Sequence, residues 1–109
     1  MIHEEICTYE VCKLAKEKGF DVPTAKKYRH KNGTTCNAPT QSLLQRWLRE
    51  EKGVIIELKY SDITEDWRPF WSWSIYNNLG FTLEIGDNSS TYELALEDAL
   101  KYTLENLVI

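Results

Sequence analysis

The sequence predicts an α+β domain: a three-stranded antiparallel sheet with helices packed on one face, in the order α-(hairpin)-α-β-β-β-α. Three observations carry that expectation. Leu43, Leu44, Trp47 and Leu48 recur at helical spacing just after Asn37-Ala38-Pro39-Thr40. Residues 54–85 change to a period of two, in three runs separated by short polar turns. From Tyr92 onward, Leu96, Ala99, Leu100, Thr103 and Leu107 return to a period of 3.6.

Each element has a local reason. Thr8 is placed to cap a first helix over 9–18, in which Val11, Leu14 and Ala15 share a face and Gly19 supplies the left-handed stop. Pro23 forbids continuation. The run Lys26-Lys27-Tyr28-Arg29-His30-Lys31 then enters Asn32-Gly33, a strong signal for a tight turn, which predicts a short exposed hairpin. Asn37 or Thr40 caps the second helix, Pro39 fits its first turn, and Gly53 ends it. Its stripe of Leu43, Leu44, Trp47 and Leu48 belongs to the core; Gln41, Gln45, Arg46 and Arg49 are not needed for packing.

Val54 to Lys59 is rich in β-branched residues and forms the first strand of the sheet. Trp67 to Tyr76 is the second, with Pro69 near its start or on an edge. Asn77-Asn78-Leu79-Gly80 turns the chain into a third strand, where Phe81, Leu83 and Ile85 alternate with Thr82 and Glu84. Short connections make these strands antiparallel. Ser90 and Glu93 are spaced as a capping box for the last helix. No internal repeat or linker divides the chain, so residues 1–109 are expected to form a single domain.

Composition narrows the function classes. With 42% hydrophobic and 12% aromatic residues, disorder is excluded. No apolar run approaches the ~20 residues of a bilayer span, and Met1 to Glu10 lacks the pattern of a secretory signal, so a cytoplasmic protein is expected. A net charge of −4 argues against a general nucleic-acid binder. The average hides a split, because residues 1–53 carry a net +3 and residues 54–109 a net −7. Such an asymmetry can orient a partner or favour contact between copies.

Candidate catalytic groups are few. The two histidines, His3 and His30, have no nucleophile beside them in a recognised spacing, and no phosphate loop or hydrolase motif occurs. Paired acids such as Glu50-Glu51 and Glu97-Asp98 point about 100° apart on a helix and read as solvated charges. Cys7, Cys12 and Cys36 are expected as free reduced thiols. Together with His3 and His30 they match no paired zinc-ligand pattern. Neither a metal nor a cofactor is expected, and the chain reads as non-enzymatic.

Two candidate binding surfaces remain. The first is the basic hairpin with Lys26, Lys27, Tyr28, Arg29, His30 and Lys31, joined by Arg46 and Arg49 into a positive half that suits an acidic partner or, as the alternative, nucleic-acid phosphate. The second is the sheet face away from the helices, exposing Phe70, Tyr76 and Ile55 unless the N-terminal helix and hairpin cover it. Exposed aromatics there would anchor a protein partner or another copy of the chain.

The αβββα order of residues 40–107 resembles that of double-stranded-RNA-binding domains in topology alone. Asp87, Glu93 and Glu97 stand where that family places a Lys-rich phosphate clamp, so its function is not expected here. A second resemblance spans nearly the whole chain. Lys16-Glu17-Lys18-Gly19-Phe20, Ala38-Pro39-Thr40-Gln41-Ser42-Leu43-Leu44-Gln45-Arg46-Trp47-Leu48-Arg49-Glu50 and Tyr92-Glu93-Leu94-Ala95-Leu96-Glu97-Asp98-Ala99-Leu100 resemble segments of small uncharacterised proteins of phages and prophages of gut bacteria. This chain departs at Leu94, where their pattern has Glu, which weakens a box built on Thr91 and leaves Ser90 with Glu93. The resemblance implies intracellular expression during infection or lysogeny and a small host-modulating or replication-accessory role. The expectation is therefore an accessory protein acting through protein contacts, self-association among them, without membrane.

Overall fold

The computed structural model describes residues 4–61 and 70–108, apart from the side chains of 87 and 88. Eight elements follow in the order α1 (Tyr9–Glu17), β1 (Lys27–Arg29), β2 (Thr35–Asn37), α2 (Gln41–Glu51), β3 (Val54–Ser61), β4 (Phe70–Asn77), β5 (Thr82–Ser89) and α3 (Tyr92–Asn106). The fold is α+β, with an antiparallel β3-β4-β5 sheet and a separate antiparallel β1-β2 pair. The expected start of the second sheet strand at Trp67, and Pro69 with it, lies outside the described residues.

Local chemistry sets the helix ends. Thr8, Thr40 and Thr91 are extended N-caps whose side chains accept from the backbone N–H of Val11, Leu43 and Leu94. Thr91, not Ser90, therefore caps α3, and the expected Ser90/Glu93 box does not form the cap: the helix begins one residue later, at Tyr92. Gly19 adopts φ of 100°, the left-handed conformation that lets Phe20 N–H return to the carbonyl of Ala15 at 2.9 Å. That turn seats the buried Phe20 ring edge-on to Trp47, with centroids 5.3 Å apart.

The core lies between the sheet and α3. Val54, Ile56, Trp73 and Ile75 supply its sheet side, and Leu96, Ala99, Leu100, Thr103 and Leu104 its helix side. The helix packs against all three sheet strands and also against α1 and α2, so every large layer meets at this one element. Buried Thr103 satisfies its hydroxyl on the Ala99 carbonyl at 2.7 Å within the helix.

The helices do not all sit on the sheet. α2 packs on β3 and α3, whereas α1 packs on α3 and on β2, one layer further out. Its place follows from the N-terminal segment, which runs alongside the entry to α2. Ile6 bridges Thr40, Cys7 N–H donates to the Pro39 carbonyl at 3.0 Å, and Gln41 N–H donates to the Glu5 carbonyl at 2.8 Å. This anchoring draws α1 and the β1–β2 hairpin to the helical side of the molecule, so they pack away from the opposite sheet face.

Candidate functional site

On β4, Trp73 and Ile75 point into the core, so the pleat sends Ser72, Ser74 and Tyr76 to the other face. On β3 the same alternation buries Val54 and Ile56 and exposes Ile55, Glu57 and Lys59. Ile55 stands opposite Tyr76 across the ladder. β5 departs from the usual arrangement. Glu84 lies opposite buried Ile75, and Ile85 opposite Ser74, so the polar side chain faces the helices and the apolar one faces outward.

Hydrogen bonding on the helix side accompanies the reversal. Glu84 accepts the Tyr102 hydroxyl from α3 at 2.8 Å and the backbone N–H of Ile85 at 3.0 Å. Those two donors hold its carboxyl below the usual carboxylate range, the Ile85 N–H contributing most. The pairing also shifts register between Ile75 and Tyr76, which places Leu83 as an additional β5 residue beside Tyr76. Ile85 is 64% exposed, and Leu83 and Ile55 are exposed as well. In the β4–β5 turn, Asn77 Oδ1 accepts the N–H groups of Leu79 and Phe81, leaving those two side chains 77% and 67% exposed. One end of the open sheet face is thus apolar, while Glu57 and Lys59 keep its other side charged.

Of the sequence-predicted residues, Tyr76 stands within this apolar end, and Phe70 begins β4 half-buried opposite Ser61. The basic residues are spread over the hairpin and α2. Tyr28 is half-buried and donates its hydroxyl to the Cys7 carbonyl at 2.9 Å, so it anchors the hairpin. Burial raises its phenol pKa. Arg46 pairs with Glu50 at 3.0 Å on exposed helix surface, and Arg49 occupies the last turn of α2, where a cation complements the helix dipole. These two belong to a helix packed on the sheet, whereas the β1–β2 hairpin packs on α1.

Arg29 instead joins Tyr9, Lys13, His30, Lys31, Asn32 and Thr34 around an open groove of about 750 Å³ between α1 and the hairpin. Lys27 lies beside a separate hollow with Lys16 and Asp21, and Lys26 is exposed.

Sequence reasoning missed one polar junction. Gln41, expected to be dispensable for packing, is 4% exposed and donates Nε2 to the Glu93 carbonyl at 2.8 Å and to Glu97 Oε2 at 2.9 Å. The other Glu97 oxygen accepts Thr8 N–H at 2.7 Å. One carboxylate therefore joins the starts of α1 and α2 to α3, and it is not a simple solvated charge. The only hint in the sequence is a Gln directly after the Thr40 cap.

The thiols of Cys7, Cys12 and Cys36 are free and buried. The hydrogen bond with Cys12, followed by burial, holds the Cys7 thiol far above its usual range, and burial raises Cys36. Among the described residues, no group of three or more His, Cys, Asp or Glu is placed to hold a metal ion; His3 lies outside them. No helix among the described residues is long and apolar enough to cross a membrane. Comparison with family profiles, with curated proteins and with solved structures finds no match.

Proposed function

We propose that the chain is a cytoplasmic, non-enzymatic accessory protein of the phage or prophage type that acts through protein contacts, with the open sheet face as its contact surface and a second copy as the first occupant. The supporting observation is the outward turn of β5, which leaves Ile55, Tyr76, Leu83 and Ile85 together on a face that no other element covers among the described residues. A contiguous apolar patch of this kind is costly to leave in water and characteristic of interfaces. The charged residues of β3 beside it form the polar rim such a surface needs.

Light scattering after size exclusion tests this reading at tens of micromolar protein. The expected mass is about twice 12.8 kDa for the native chain and 12.8 kDa for the Leu83→Glu, Ile85→Glu variant with unchanged circular dichroism. A native chain that stays monomeric, with the variant indistinguishable from it, overturns self-association through this face.

A further inference from the structure

The groove between α1 and the β1–β2 hairpin lies away from the sheet face, and nothing in the proposed contact reading uses it. Its wall is one-signed: Lys13 comes from α1, Arg29 from β1 and Lys31 from the turn, with no carboxylate among the lining residues. The one acid of α1 that precedes Lys13 is engaged elsewhere, since Glu10 binds Lys101 of α3 at 3.1 Å. Among the described residues neither Lys13, Arg29 nor Lys31 has an anionic partner. Three cations held around one concavity without counter-charge repel one another, and an anion relieves that repulsion.

The groove also has an aromatic wall and a fixed polar edge. Tyr9 is 39% exposed, stands edge-on to Tyr28 with centroids 5.7 Å apart, and shares a hydrogen bond between its hydroxyl and His30 Nδ1. Its ring is therefore held in place while part of it faces solvent. Asn32 Oδ1 is taken by the N–H and hydroxyl of Thr34, which fixes the turn carrying Lys31. A volume of about 750 Å³ is the size of a small-molecule site rather than of a duplex-binding face.

The geometry points to a binding site for a nucleoside phosphate in this groove, with Arg29, Lys13 and Lys31 on the phosphates and the Tyr9 ring against the base. Arg29 suits the phosphate as a planar fork, and the two lysines act as point charges. Tyr9 supplies the stacking surface that distinguishes a nucleotide from bare phosphate.

Isothermal titration of the full chain with ATP, AMP, inorganic pyrophosphate and a ten-nucleotide single-stranded DNA tests the assignment at low salt. ATP is expected to bind, more tightly than pyrophosphate, and to lose about tenfold or more in affinity between about 50 and 200 mM salt. Arg29→Glu with Lys31→Glu should abolish the heat, and Tyr9→Leu should bring ATP down to the pyrophosphate affinity, while Lys52→Glu, on the far end of α2, should leave it unchanged. Unchanged circular dichroism and thermal midpoint in each variant show that the loss is not unfolding. Binding of the DNA without ATP would overturn the proposal in favour of a polynucleotide surface. Equal affinity for pyrophosphate and ATP would overturn the role of Tyr9, and heat that survives Arg29→Glu with Lys31→Glu would overturn the site.

Discussion

Gly86 stands opposite Trp73 across the β4–β5 ladder, so close to the indole that a Cβ at position 86 would lie 2.2 Å from Cε2. The ring occupies the space a side chain would need. Trp73 is itself held in the core and tilted against Tyr102 at 5.6 Å, so it cannot swing away without disturbing α3.

Gly86→Ala is therefore expected to destabilise the domain by about 1–3 kcal/mol through overpacking. Urea unfolding followed by tryptophan fluorescence measures it. A second substitution, Trp73→Leu, should make the added methyl less costly than it is in the native background, since the two residues contact each other. Additive effects would show that the clash is relieved elsewhere.

The Gln41 and Glu97 junction predicts a larger cost than its polar residues suggest. Gln41→Ala removes two hydrogen bonds and takes the side-chain donor from one Glu97 oxygen, an expected loss of about 1–3 kcal/mol. Ser42→Ala, one residue on and exposed, should stay within about 0.5 kcal/mol. Thermal unfolding of the two variants side by side decides the matter.

Glu84 gives the fold an acid dependence of known sign. Its carboxyl titrates below the ordinary value because Ile85 N–H and the Tyr102 hydroxyl favour the charged form. The unfolded chain thus takes up the proton first. The stabilising contribution is present above the unfolded-state value of about 4.3 and is lost as pH falls through the lower folded-state value. Tyr102→Phe should shrink the drop in thermal midpoint between about pH 6 and pH 3, and an unchanged drop would place the acid sensitivity on other carboxylates.

Ser90 and Thr91 separate the two possible caps of α3. Thr91→Ala is expected to cost about 1 kcal/mol and Ser90→Ala less than about 0.5 kcal/mol. Chemical denaturation midpoints of the two variants give the comparison directly.

The thiols offer a check on burial. In the native state Cys7, Cys12 and Cys36 should resist an aromatic disulfide reagent over minutes, and in denaturant all three should react. Fast modification of one thiol in the folded protein would show that its layer opens readily.

The hairpin and the starts of α1 and α2 were legible because their signals are local, whereas at α3 two adjacent hydroxyls, Ser90 and Thr91, competed for the cap. Thr8 and Thr40 precede apolar periodicity by one cap position, and Gly19 follows it. The side on which a strand's apolar residues fall was not legible, because a period of two fixes alternation and leaves the choice of face open. Phe81, Leu83 and Ile85 alternate with Thr82 and Glu84; the Glu84 bond to the Tyr102 hydroxyl and the Ile75/Tyr76 register shift go with the apolar set facing outward. The Thr8 to Glu97 bond joins residues 89 positions apart, beyond any local rule. The groove was half visible: Arg29, His30 and Lys31 stood out as a run, while Lys13 and Tyr9 belonged to a helix whose neighbour was unknown.

The helix that meets every layer also comes later in the chain than every element it packs against. On the ribosome, α1, α2 and the sheet lack the one element they share until residues 92–106 have cleared the exit tunnel. The sheet face under α3 stays uncovered until that late step, and a message cut short before α3 yields a product with Ile75 and its neighbours open to proteolysis.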